Sequence, residues 1–130
     1  MILFYSMEQE GAQLLAKKYD FAERSHVFAK NVRVFLQKLP RTVANAEDGK
    51  QLIRSSGSVG ANYIEADNAL SKKDRILHFK ISRKEARECI HWLHLLDTGN
   101  NSELEKERLR LMQEAKELML ILSSIIQKYE

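Results

Sequence analysis

RSSGSVGANYIEA, residues 54–66, runs against its surroundings: between two segments of helical periodicity it holds two of the chain's five glycines, with Ser55, Ser56, Ser58 and Ala61 beside them. Each glycine costs a helix interior about 1 kcal/mol relative to alanine. Leu52, Val59, Tyr63, Ala66 and Leu70 nevertheless keep one stripe at a helical repeat, which predicts a helix from near Lys50 towards Leu70. The compensating gain is close approach, because Ser55, Ser56, Gly57, Ser58, Gly60 and Ala61 leave room for a neighbouring backbone.

Upstream, Phe21, Phe28, Val32, Phe35 and Leu39 advance by seven, four, three and four, the pattern of one amphipathic helix, with Asp20 and Glu23 as its cap pair. Pro40 ends it, since proline has no amide hydrogen and disfavours helical geometry in the preceding residue. TVANAEDGK, residues 42–50, reads as a short polar connection. Downstream, Ser71 and Asp74 resemble a capping box and restart the helical pattern to about Leu96 after a very short turn. Asp97 to Asn101 form a break, and Ser102 with Glu105 opens a last helix in which Leu104, Leu111, Leu118 and Ile125 recur every seven residues, with Ala115, Leu122 and Tyr129 beside them. Four amphipathic helices on short connections predict an all-α, antiparallel up-down-up-down four-helix bundle over residues 19–130, preceded by an N-terminal extension, residues 1–18.

A chain of 130 residues with 44% hydrophobic and 30% charged residues and a single proline favours one folded, helix-rich domain over a disordered or disulfide-stapled one. The lone Cys89 fits a reducing, cytoplasmic compartment and reads as inert core. MILFYSM lacks a basic leader, and the apolar run LMLILSSII, residues 118–126, is far short of the roughly 20 residues of a membrane span, so no membrane partner is expected. The net charge of +3 and pI near 9.0 permit an acidic partner such as nucleic acid without demanding one.

Three constellations invite a chemical reading. Glu23 with His26 and Glu88 with His91 are Glu-x-x-His pairs on different helices, and with Glu65 and Glu114 they match the inventory of a di-metal carboxylate bundle. At about 100° per residue, Glu23, His26 and His91 turn away from the apolar stripes, so surface residues are the preferred reading and a metal-dependent enzyme a remote alternative. His91 and His94 lack a third ligand, GSVG lacks the length and lysine of a phosphate loop, and no nucleophile elbow is present. No catalytic residue, metal or cofactor is therefore expected. On the third helix, Lys73, Lys80, Lys84 and Arg87 share one narrow stripe with Arg83 and His91 at its margins, an arrangement suited to following phosphates or serving as an ordinary charged outer face. Asn62, Glu65 and Glu85 fall near the bundle interior and are expected to bond to one another between helices, fixing register, with a ligand-binding role as the alternative. Leu118, Met119, Leu120 and Ile121, with Leu122, cover nearly the whole circumference of the last helix, more than one core hides, and so mark a self-association surface.

KQLIRSSGSVGANYIEADNALSKKDRILHFKISRKEARECIHWLHLL, residues 50–96, resembles the signature of the bacterial four-helix-bundle proteins related to 23S rRNA intervening-sequence proteins. The likeness runs in order through the K-Q-L-x-R-S lead, the S-x-G-A-N-Y-x-E-A run, the S-K-K-D helix start, the K-E-A-R-E segment and the W-L-x-L-L ending. YDFAERSHVFAKNVRVFLQKLP upstream and EAKELMLILSSII downstream extend it over about residues 19–129. The resemblance implies a protomer that assembles into a homopentamer and a non-enzymatic role; a related branch comprises the accessory variability proteins of diversity-generating retroelements, basic pentamers that work with a reverse transcriptase and nucleic acid. It supplies no catalytic residue to carry over. The expectation is a cytoplasmic, oligomeric binding or scaffold component with RNA as the favoured partner, and a protein-protein adaptor as the alternative.

Overall fold

The computed structural model describes residues 21–130. The N-terminal extension and the cap at Asp20 lie outside the described residues. Four helices follow one another: α1 over residues 21–37, α2 Val43–Asp67, α3 Lys72–Leu95 and α4 Ser102–Tyr129, with no strand among the described residues.

The apolar series of α1 is the core series, since Phe21, Phe28, Val32, Phe35 and Leu39 are all buried. The helix ends just before Pro40 in a tightened turn, in which the amides of Lys38 and Leu39 donate to the carbonyls of Phe35 and Leu36. α2 then starts a full two turns earlier than its glycines suggest. The segment TVANAEDGK is helix from Val43 onward: Thr42 caps it by accepting the Asn45 amide at 3.1 Å, and nothing between Val43 and Asp48 breaks a helix. Gly49 is buried within this stretch, and a methyl built there would make ordinary contact with Leu36 of α1 at 3.4 Å.

The small-residue run divides by face. Ser55 and Ser56 are buried and return their hydroxyls to the carbonyls of Gln51 and Ile53, and a methyl on Gly60 would stand 3.1 Å from the Ser25 hydroxyl of α1. Gly57 and Ala61 point outward, so close approach explains half of the run rather than all of it. Leu70 also departs from expectation: α2 ends at Asp67, and Leu70 sits fully exposed in the turn to α3.

Contacts along the helices run in opposite directions. Phe21 of α1 meets Tyr63 of α2 with ring centroids 4.6 Å apart, whereas Leu36 lies by Gly49; on the other side Arg24 binds Glu114, and Lys38 binds Glu107, of α4. α3 packs on both α2 and α4, which do not pack on each other. The result is a square antiparallel bundle with α1 diagonally opposite α3. Its core joins the three phenylalanines of α1 to Leu52, Val59, Phe79, Leu93, Leu118 and Leu122. Cys89 is wholly buried there, and desolvation pushes its thiol well above the ordinary range.

The last two turns are each closed by an arginine of the helix that follows. Arg75 donates to the carbonyls of Ala66 and Ala69 at the end of α2, and Arg108 to those of Leu93, His94 and Leu96 at the end of α3. A cation at a helix C-terminus meets both the orphaned carbonyls and the negative end of the helix dipole. Arg108 also pairs with Glu105, which holds that carboxyl below its usual range with help from Thr98. The caps of the last two helices are Ser71, which accepts the Asp74 amide, and Asn101, which accepts those of Glu103 and Leu104 in place of the expected Ser102.

Candidate nucleic-acid interface

The side of α3 that faces neither α2 nor α4 carries the cations. Phe79, Ser82, Ala86, Cys89 and Leu93 turn inward, and the same periodicity sends Lys73, Lys80, Lys84, Arg87 and His91 outward, all of them exposed. From Lys73 to His91 the line spans about 27 Å at the helical rise. Charge is concentrated on this element: α3 holds seven lysines and arginines against three acids, whereas α2 holds two against four.

Neighbouring acids neutralise little of the line. Lys80 meets Glu130 at 3.1 Å, an exposed pair of small energetic weight. Glu88, the nearest acid on α3, is engaged by Arg54 of α2 at 3.2 Å. Lys73, Lys84 and Arg87 form no ion pair among the described residues. Arg83 is half-buried and turned aside, donating to the Ser123 hydroxyl of α4, so it stands at the margin as a brace. Leu77 and Leu95 are exposed beside the line, at 51% and 53%, a feature sequence reasoning passed over although both stand only about 40° from it on the helical wheel.

The polar network between α2 and α3 differs from the one expected. Glu65 is exposed and bonds to neither Asn62 nor Glu85. Asn62 instead donates through Nδ2 to the Ser58 carbonyl, which leaves its Oδ1 facing His78 Nδ1 at 3.3 Å; an amide oxygen only accepts, so Nδ1 carries the proton. Glu85 is buried and reached by Arg54 at 3.4 Å, and the buried Ser82 donates to the Val59 carbonyl at 2.7 Å. Three separate links replace one cluster, because successive inward positions of α3 oppose α2 a full turn or more apart.

The expected self-association surface also divides. Leu118 is wholly buried within the protomer and has no surface to offer a partner; Met119 and Ile121 are half-buried against the core, and Leu120 alone of the four is exposed, at 59%. Burial on α4 follows Leu104, Leu111, Ala115, Leu118, Leu122 and Ile126, so the seven-residue reading slips by one at the end, where Ile126 and not Ile125 is buried. A straight helix of 3.6 residues per turn drifts about 20° per heptad, which accounts for the slip. Glu23, His26 and His91 are exposed, and Glu114 is bound to Arg24 at 2.6 Å, so these residues are not gathered into one site. No group of three or more His, Cys, Asp or Glu side chains is placed to hold a metal among the described residues. No helix among them is long and apolar enough to cross a membrane.

Comparison with known proteins places this geometry in a lineage. No curated protein matches the chain. A crystal structure of a protein of unknown function from the S23 ribosomal protein family of Bacteroides thetaiotaomicron is similar to it, with 30% sequence identity and a TM-score of 0.72, over 85% of this chain and 98% of that one. The profile of the 23S rRNA-intervening sequence proteins matches residues 17–124, which takes in all of α1, α2 and α3 and most of α4. On that match, and with the helical bundle to support it, the chain belongs to the 23S rRNA-intervening sequence protein family.

Proposed function

We propose that the protein is a non-enzymatic, cytoplasmic, homo-oligomeric binding component that holds RNA by its phosphates along the outer face of α3. The observation that carries the reading is the line of exposed cations, in which Lys73, Lys84 and Arg87 have no acidic partner among the described residues. Such a line attracts a polyanion mainly by releasing its condensed counterions. The family's name, which concerns 23S rRNA, agrees with an RNA partner. Assembly into a homopentamer would repeat the line around a ring and strengthen its field. Residues 118–121 contribute one exposed leucine to such an interface, Leu120.

A gel shift with RNA at low and moderate salt tests the reading. Binding should weaken steeply with salt, and K80E with K84E should weaken it by at least about tenfold while the circular dichroism spectrum stays unchanged. RNA binding that ignores both the salt and the reversals would overturn the assignment. Exposed Leu77 and Leu95 beside the cations favour a second reading, a protein-protein adaptor. An absence of any shift, with intact oligomers, would move the conclusion there.

A further inference from the structure

The face that carries the cations is as informative for what it lacks. Single-stranded nucleic acid is held by two devices together, a basic track and aromatic side chains on which bases stack, and the stacking is worth about 1–3 kcal/mol per base. Among the described residues no phenylalanine, tyrosine or tryptophan is exposed: Phe21, Phe28, Phe35, Tyr63 and Phe79 are buried, while Trp92 and Tyr129 are half-buried and packed against the core. Neither Asn nor Gln stands on the line between Lys73 and His91 to read a base edge, and no serine or threonine there is exposed to meet a sugar hydroxyl. What remains is a row of three lysines and Arg87, with the exposed imidazole of His91, in edge contact with Trp92 at 4.9 Å, as the line's one ring. Lys73, Lys84 and Arg87 have no acidic partner there, and Lys80 is held only by the exposed Glu130.

A row of this kind responds mainly to the density of negative charge. A duplex presents about one charge per 1.7 Å of its axis, and each neutralised phosphate contributes a salt slope of about 0.9, against about 0.7 for a single strand. From this geometry we infer that the α3 line takes double-stranded nucleic acid by its backbone, without reading sequence or sugar. The inference rests on the nucleic-acid reading proposed above and narrows it to a duplex segment. With four cations engaged per protomer, affinity should fall about a hundredfold between about 50 mM and about 200 mM salt.

The test is fluorescence anisotropy of the full chain with three labelled probes of equal length: duplex RNA, duplex DNA of the same sequence, and an unstructured uridine-rich RNA strand. The duplexes should bind within about threefold of each other and at least about tenfold more tightly than the strand, with the steeper salt slope. K84E with R87E should lower the duplex slope by about 2, whereas K30E with R33E, on the diagonally opposite α1, should leave it unchanged. A strand bound as tightly as the duplexes would overturn the duplex inference and leave nucleic-acid binding standing. So would a preference for duplex RNA over duplex DNA beyond about tenfold, which charge density cannot produce. Failure of all three probes to bind at low salt would remove the parent reading as well, and equal losses from the α1 and α3 reversals would remove the assignment to α3.

Discussion

At Gly60 the fold depends on a missing side chain. Its neighbour across the α1–α2 contact is Ser25, itself buried and committed to the Ala22 carbonyl at 2.9 Å, so the serine cannot swing away to admit a larger residue. Gly60→Leu should therefore force the two helices apart and destabilise the protein by about 1–3 kcal/mol, read as a Tm lowered by about 4 °C or more. Gly57 is the internal control. A methyl there meets only the mobile end of Arg33, at 3.8 Å, so Gly57→Ala should leave Tm level or raise it. Equal responses at the two positions would sink the distinction between them.

At the level of helices, one polar residue joins two connections that the sequence gives no reason to associate. Asn45, buried in the first turn of α2, donates to the carbonyls of Pro40 and Asp97 and accepts the amide of Asp97, each at 2.9 Å. It thereby ties the α1–α2 turn to the end of α3. Asn45→Ala would orphan groups from both segments at a cost of about 2–3 kcal/mol, and hydrogen exchange should speed up at residues 96–98 as well as around residue 45. Protection unchanged at the distant segment would refute the brace. The apolar periods were legible from the sequence because they respond to burial alone: the number of helices, their order and the α1 core series follow from them, and the start of α3 at Ser71 from its capping pair with Asp74. Other features depend on partners that sequence spacing does not display. The helical state of residues 43–49 needs the Thr42 cap, and Asn62 finds His78 in place of Glu65 because of where α3 places its side chains. The cationic line was legible for the same reason as the core, being its complement on one helix; the bond that turns Arg83 towards Ser123 was not.

For the whole molecule, assembly is the property that the exposed leucines bear on. Leu120 stands 59% exposed on α4, whereas Leu118 two positions away is wholly inside, so the two substitutions separate assembly from folding. Leu120→Lys should reduce the mass measured by light scattering after gel filtration with little change in Tm; Leu118→Ala should lower stability by about 2–5 kcal/mol through the cavity it leaves. An unaltered mass for Leu120→Lys would place the contact between protomers elsewhere on the surface.

The arginines at the two turns carry a consequence for how the chain's basicity should be weighed. Arg24, Arg33, Arg54, Arg75, Arg83 and Arg108 all direct their guanidinium groups at the protein's own carbonyls, carboxylates or hydroxyls, while Lys30, Lys72, Lys73, Lys84, Lys116 and Lys128 meet no acid among the described residues. These six forked donors serve as internal joinery, and amines, with Arg87 beside them on α3, supply most of the charge that a passing anion would feel. Capping those six amines as neutral amides would turn the net charge from +3 to −3 while leaving the joints fastened.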